Sequence, residues 1–346
     1  MTVLLTGGAG YIGSQMAYEL CDAGESAVVL DDLSTGYRDA VPAGVRLVVG
    51  DCGDASLLAA LLAEEQIDAI IHFAASVVVD ESVRNPLHYY RNNTGNAHTL
   101  IAAAVQAGVP HFIFSSTAAV YGNPNALPVT EDAPTRPVSP YGRSKLMTEM
   151  ILGDAAAAHG FCFAVLRYFN VAAADPRLRT GQSTPAPTHL IGVAVQTALG
   201  LRPGLQVFGS DYPTRDGTCI RDYIHVADLA RAHLDALVHL RRGGESVTLN
   251  LGYGRGSSVL EVVEAVKRIS GVDFPVAMAG RRPGDAAAVV ASPARARAVL
   301  GWQPRFDDLD TIVRHALAWG RILAARSAPR SRPGTHGSPG RPRSGP

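Results

Sequence analysis

None of the four cysteines, Cys21, Cys52, Cys162 and Cys219, falls in a C-x-x-C pair. That scatter gives no support to a zinc site or a disulfide framework, and it fits a reducing, cytoplasmic setting. Net charge is missing as well: 31 Lys and Arg balance 31 Asp and Glu. The balance argues against nucleic acid or an acidic membrane as a partner. Long apolar runs are absent too. "MTVLLTGGAG" turns into glycines after a very short apolar stretch, so it reads as neither a signal peptide nor a membrane span. There is no internal repeat. Glycine is plentiful, at 35 of 346 residues, as suits an α/β protein with many tight turns.

The first half alternates. Short apolar runs, "TVLL", "SAVVL", "VRLVVG", "AIIHFAA", "HFIFSS" and "FAVLRYF", are separated by helical stretches at 12–24, 55–66 and 93–108. Apolar strands alternating with helices predict a doubly wound parallel sheet covered on both faces. After Asn170 the alternation breaks, and Pro, Thr and Gly crowd 175–188. Residues 221–237 read as a helix, 246–252 as a strand and 258–269 as another helix. The expected organisation is a first domain over 1–170 with about 221–252 interleaved. A smaller α/β substrate-binding lobe would take 171–220 and 253–325. The segment 327–346 has almost no apolar residues and reads as a disordered, solvated tail.

Between the first strand and first helix lies "TGGAGYIG", with Gly7, Gly10 and Gly13 spaced G-x-x-G-x-x-G. Gly7 suits a tight turn, Gly10 lets backbone N–H groups approach a pyrophosphate, and Gly13 permits close packing of helix on strand. Asp31 closes the second strand, with Asp32 beside it. A carboxylate there accepts from both ribose hydroxyls and repels a 2′-phosphate, which favours NAD over NADP. The bland alternative is that the two aspartates cap a turn. Asp51, in "GDC" at the end of the third strand, is placed to reach the adenine amino group.

"SPYGRSKLMTEM" puts Tyr141 four residues before Lys145, so a helix would present both on one face. An ammonium group near a phenol favours the phenolate, which makes Tyr141 a usable base. An isolated Y-x-x-x-K is usually a surface pair. Here it follows "FSSTAAVYG", a strand end of the same sheet, where ligands bind in doubly wound folds. Ser115, Ser116 and Thr117 are therefore expected to face nicotinamide and substrate, with Thr117 able to pass a proton.

Together these motifs resemble the extended short-chain dehydrogenase/reductase family, and closely its branch that inverts C4 of UDP-hexoses. The likeness runs from Thr2 to about Trp319 through "TGGAGYIGS", "ESVRNPLHYYRNN", "LRYFNVAAA", "FGSDYPTRDGTCIRDYIHVADLA" and "RRPGD". It implies a Rossmann-type fold, one NAD held throughout the cycle, Tyr141 as base with Thr117 assisting, and Lys145 on the nicotinamide ribose. It implies a homodimer formed through two helices of the first domain. Implied cofactor contacts are Tyr11, Ile12, Asp31, Asp51 and Cys52, then Phe73, Ala74, Ala75 and Asn93, and finally Ser115 and Phe169. Implied UDP-sugar contacts are Asn170, His189, Leu190, Val207 and Phe208, with Arg221 and Arg282 on the pyrophosphate and Asp285 on ribose hydroxyls.

The chain departs from the family pattern in places. Val77 stands where many members have a lysine reaching the cofactor, and His189 where some have asparagine. Val289 stands where some carry a tyrosine that walls off the sugar C2 side, so N-acetylated UDP-hexosamines are expected to fit beside UDP-glucose and UDP-galactose. The alternative is that Val289 only packs a strand. Rival readings are a nucleotide-sugar dehydratase or decarboxylase, or a non-catalytic NAD-binding regulator on the same fold. The first two need an acidic residue just after Thr117, and the chain has Ala118 and Ala119 there.

Overall fold

The computed structural model describes residues 1–282 and 284–327. Seven parallel strands form the central sheet: β1 (Thr2–Thr6), β2 (Ser26–Asp31), β3 (Arg46–Val49), β4 (Ile67–His72), β5 (His111–Thr117), β6 (Cys162–Tyr168) and, after four short strands elsewhere, β11 (Val247–Leu251). Their order is β11-β6-β5-β4-β1-β2-β3. The helices over it are α1 (Tyr11–Asp22), α2 (Ala55–Glu64), the short α3 (Val79–Arg84) and α4 (Pro86–Tyr89), then α5 (Asn96–Gln106) and α6 (Pro140–His159). Strand residues alternate between two cores. Val3, Leu5, Ile71, Ile113 and Leu249 face Met16 and Leu20. Leu4, Ile70, Phe112 and Phe114 face Leu58, Leu100 and Leu152. Both faces are covered, so the strands read as continuous apolar runs.

The four short strands are β7 (Asn170–Ala172), β8 (Leu205–Phe208), β9 (Ile220–Arg221) and β10 (Tyr223–His225). Beyond β11 come β12 (Ser257–Ser258), β13 (Val276–Ala279) and β14 (Ala288–Val289). They pair as β10-β7, β13-β8 and β12-β9-β14. Helices α7 (Leu190–Ala198), α8 (Val226–Arg241), α9 (Val259–Ser270), α10 (Ala294–Leu300) and α11 (Leu309–Ser327) complete the fold. The tail expected over 327–346 lies, beyond Ser327, outside the described residues.

The helix expected over 221–237 is wrong at its start. Residues 220–225 pair as β9 and β10, and α8 begins at Val226. Tyr223, Ile224 and His225 are buried aromatic or β-branched residues in a ladder with Asn170, Val171 and Ala172. His225 ends the ladder by accepting the Ala227 N–H at Nδ1, which caps α8. The helix expected over 93–108 is likewise split, with a π-turn at Tyr90–Gly95 before α5.

Three buried histidines set an acid limit. Burial lowers His72 to about 3, His225 to about 3 and His233 to about 4. Each is neutral in the fold and binds a proton on unfolding below its usual value near 6.5. The unfolded chain therefore gains protons as pH falls, and stability drops from about pH 6.5 toward 4. Asp222, raised by burial to about 6, works the opposite way, as do Glu19, Asp31, Asp228 and Asp235, which burial also raises. His111, His189 and His315, lowered by burial, add to the fall. Thermal unfolding across pH 4–7 is expected to show this fall. His233→Leu is expected to lessen the slope by about one proton, or about 1.4 kcal/mol per pH unit.

Candidate active site

The glycine turn is dictated by close backbone approaches. Gly7 has φ of +72°, and a Cβ there would sit 2.6 Å from the Ala74 nitrogen. A Cβ on Gly13 would lie 2.2 Å from the Gly7 oxygen. Gly10 caps α1 with extended backbone, and no side chain closes the helix end or places an acid in its first turn. The N–H groups of Tyr11, Ile12 and Gly13 thus form an open, positive helix end suited to a pyrophosphate. The Tyr11 hydroxyl donates to the Ala173 carbonyl at 2.7 Å and so faces the 173–181 loop.

Asp31 ends β2 against this turn. Its carboxylate accepts from Ala9 N–H at 2.9 Å and Leu33 N–H at 2.8 Å. Burial raises its pKa, opposed by those two hydrogen bonds. Asp32 accepts from the Ser34 N–H and hydroxyl, so both aspartates brace the turn after β2, and Asp31 also ties it to the glycine turn through Ala9. Gly36 escaped the sequence reading. A Cβ there would press within 2.9 Å of both the Ala9 carbonyl carbon and Asp31 Oδ1, so the loop after β2 folds back onto the glycine turn. Asp51 accepts from Gly53 N–H and from Asn96 Nδ2, both at 2.8 Å. Cys52 is buried, and its thiol is pushed up to about 12, chiefly by that burial, so it stays protonated and unreactive.

The opposite wall is the end of β4. Phe73 and Ala74 N–H groups both donate to the Thr6 carbonyl. Asn93 is buried and clamps this loop: it accepts the Ser76 N–H at 2.8 Å and donates to the Ser76 carbonyl and the Ser144 hydroxyl, each at 3.0 Å. Val77, the expected lysine position, is 53% exposed and brings no cation. Glycine turn, open helix end and ribose-side carboxylate together fit a dinucleotide.

Helix α6 starts from Ser139, whose hydroxyl accepts the Gly142 N–H at 3.2 Å, with Pro140 at its first position. This cap sets the phase that turns Tyr141 and Lys145 inward, at 9% and 3% exposure. Lys145 Nζ donates to the Ser115 carbonyl at 2.8 Å and stands 4.8 Å over the Phe114 ring. Burial pulls its pKa down to about 7, while Cys52 and Glu149 oppose the fall.

The electrostatics of Tyr141 differ from the sequence-based expectation. Burial raises its pKa, and what opposes the rise is a hydrogen bond with Thr117, not Lys145. Desolvation outweighs the lysine because the lysine is itself desolvated and turned to a carbonyl. The three strand-end hydroxyls also divide. The Ser115 hydroxyl bonds to that of Tyr168, the Thr117 hydroxyl accepts the Ala119 N–H at 3.1 Å, and Ser116 turns to the other face and donates to Glu149. Residues of a strand alternate sides, so Ser116 cannot share a cleft with its neighbours.

The sugar-side residues come from the short strands. Arg221 Nη1 donates to the Ile220 and Ala286 carbonyls, and its Nη2 lies 3.4 Å from Asp285. Val289 is the ladder partner of Arg221. The Arg282 guanidinium stacks 3.8 Å over the Phe208 ring. Arg221, Asp285 and Val289 are thus brought together, and Phe208 with Arg282. Val207 is fully buried among Val263, Val266 and Phe274 and is paired in the ladder of β8 with β13, so its side chain does not line a cleft. His189 caps α7 without a side-chain hydrogen bond, ahead of Leu190. Phe169 packs on Val120, Tyr121 and Val129, and the Asn170 N–H donates to the Asp222 carbonyl at 2.9 Å.

Comparison with known proteins agrees with this geometry. The model of the NAD dependent epimerase/dehydratase family matches residues 3–252. The UDP-glucose 4-epimerase of Azospirillum brasilense is 59% identical over 321 residues, 93% of this chain and 92% of that protein. The crystal structure of UDP-glucose 4-epimerase from Brucella ovis in complex with NAD superposes with a TM-score of 0.90 at 46% identity, covering 92% of this chain and 98% of that one. The UDP-Glc/GlcNAc 4-epimerase of Campylobacter jejuni gives 0.82 at 47% identity, covering 93% and 99%.

Proposed function

The chain belongs to the NAD dependent epimerase/dehydratase family, and we propose that Tyr141 is the acid–base residue of its reaction, the NAD-dependent inversion of C4 of a UDP-hexose. The observation that carries this role is a buried Tyr141 one helical turn from a buried Lys145, whose ammonium is fastened to the Ser115 carbonyl at the strand end. NAD, which the glycine turn and Asp31 would hold, would supply the hydride acceptor and donor for C4 and a positive ring in the cleft. Tyr141 takes the C4 hydroxyl proton as the carbonyl forms and gives it back on reduction, with Thr117 as relay. Lys145 holds ribose hydroxyls and, through the Ser115 carbonyl, fastens α6 to the end of β5. Arg221 and Arg282 grip the pyrophosphate with guanidinium forks, which leaves the hexose free to swing and present its other face.

Elimination chemistry has no acid to use: Ala118 and Ala119 form the turn after Thr117. The regulator reading is disfavoured by a retained, buried Tyr–Lys pair. Incubation of the purified protein with UDP-galactose, product identification and assay of NAD released on denaturation test the assignment. UDP-glucose with released NAD is expected; unchanged sugar with bound NAD would leave only a regulator.

The work divides between the first domain, 1–170 with about 221–252, which holds NAD, and the lobe of 171–220 and 253–325, which holds the UDP-sugar. Among the described residues no helix is long and apolar enough to cross a membrane. A cytoplasmic location fits four free cysteines. A homodimer through α5 and α6 fits the exposed Met147 and Met150 on α6, at 44% and 59%. Val289 is half-buried beside Tyr121 and Phe169, and a valine leaves more room than a tyrosine for an N-acetyl group. UDP-GlcNAc is expected to turn over within about tenfold of UDP-galactose, and Val289→Tyr to suppress it selectively. No UDP-GlcNAc turnover, with good UDP-galactose turnover, would reduce Val289 to strand packing.

A further inference from the structure

Glu149 stands one turn beyond Lys145, on the face of α6 that carries Tyr141. Its carboxylate is almost fully buried and paired with an equally buried Arg167 at 2.6 Å, with side-chain exposures of 8% and 9%. The pairing is forked: Arg167 Nε also donates to Glu149 Oε1 at 3.0 Å. The same Oε1 accepts the Ser116 hydroxyl. Ser116 lies between Ser115, whose carbonyl holds Lys145, and Thr117 at the end of β5.

The contacts continue outward. Arg167 Nη1 donates to the Tyr121 hydroxyl at 3.0 Å, and Tyr121 donates to Asn250 Oδ1 at 2.7 Å. Asn250 Nδ2 reaches the Val129 carbonyl at 2.9 Å. The Val129 N–H donates to the Val290 carbonyl at 2.8 Å, next to Val289. One chain of polar contacts thus runs from the catalytic helix, through β5 and β6, to the strand end beside the sugar residues.

A buried ion pair is a poor device for stability alone, because apolar residues of similar volume do as well or better. A fully satisfied buried network does specify one relative placement of the elements it joins. We propose that Glu149 and Arg167 are positioning residues, which fix α6 along its axis against the end of β5 so that the Tyr141 hydroxyl meets Thr117 and the C4 hydroxyl. This rests on Tyr141 as the acid–base residue, and it adds two residues that never touch substrate. A displacement of about 1 Å at a reacting group costs on the order of a hundredfold in rate.

The test is the double replacement Glu149→Met/Arg167→Met in the NAD-loaded protein, which removes both charges and strands neither. Its melting temperature is expected within a few degrees of the parent. Its kcat for UDP-galactose is expected to fall on the order of a hundredfold with KM within about threefold. A second readout needs no turnover: the phenolate absorbance of Tyr141 against pH, taken as the difference from the Tyr141→Phe counterpart. The other titratable groups in electrostatic reach are Tyr89 and Tyr168 for Tyr141, and Cys52 and His72 for Lys145. The double replacement also removes the Glu149 charge that acts on Lys145, so Ser116→Ala, which changes no charge, is titrated beside it. A Tyr141 midpoint moved by a unit or more in both variants reports a displaced α6 rather than a lost charge. An inactive parent whose Tyr141 midpoint still moves in the double variant would sink the base assignment and keep the positioning role. Parental kcat together with a parental Tyr141 midpoint would overturn it. Should the double variant not fold, Ser116→Ala removes only the bond from β5 to Glu149 and leaves the Lys145 bond to the Ser115 carbonyl in place. It is expected to lose kcat about tenfold at unchanged KM, and parental kcat there overturns the proposal equally.

Discussion

Tyr141→Phe is expected to lower kcat for UDP-galactose by about a thousandfold or more, with fold and bound NAD intact. General acid–base catalysis contributes on the order of a hundred- to ten-thousandfold, and Thr117 lacks the acidity to replace a phenol. The substitution deletes one oxygen and keeps the ring that packs at the start of α6. The ring keeps its place at 9% exposure, so the melting temperature should shift little. Activity within tenfold of the parent, with NAD content unchanged, would dismiss Tyr141 as the base. The structure adds a condition on pH. Burial holds the phenol above its ordinary value and the ammonium near 7 in the chain by itself, so the ionised phenol depends on positive charge arriving with the cofactor. The kcat profile of the loaded protein should accordingly rise with pH at values well below the usual phenol range.

Gly13→Ala is expected to abolish stable NAD binding. The added methyl would meet the Gly7 oxygen at 2.2 Å and Gly8 Cα at 2.7 Å. Both are backbone atoms of the turn that cradles the pyrophosphate, so relief means reshaping the turn. NAD recovered on denaturation should drop below about a tenth of the parental amount, and thermal stability should fall although alanine favours a helix over glycine by about 1 kcal/mol. Gly153→Ala supplies the contrast. It lies inside α6, and its Cβ would meet nothing within 4 Å. There the same change should stabilise by up to about 1 kcal/mol and leave NAD content alone. If both variants behaved alike, close approach at Gly13 would not be what the turn requires.

The cofactor half was the more legible of the two. Gly7, Gly10 and Gly13 lie within seven residues, and their roles are set by local backbone geometry that spacing records. Asp31 could be placed because the second strand is short and its end is marked by a change from apolar to acidic residues. The sugar half was less so. Arg221, Asp285 and Val289 meet through pairing of two-residue strands far apart in the chain, and such strands carry no periodicity. "RDYIHVADLA" read as one helix because its apolar spacing suits a helix from Val226 onward, and only the ladder with Asn170 to Ala172 turns its beginning into strand.

What the sequence by itself determined was the alternation of strands and helices, the glycine turn and its acidic partner, and the face shared by Tyr141 and Lys145, since all are fixed by short-range backbone periodicity. The tertiary structure decided which neighbours those side chains meet. It placed β11 beside β6, turned Ser116 away from the cleft toward Glu149 and Arg167, and buried Tyr141 deeply enough that desolvation governs its proton. Burial and pairing are sums over residues distant in the chain, and no local pattern carries them.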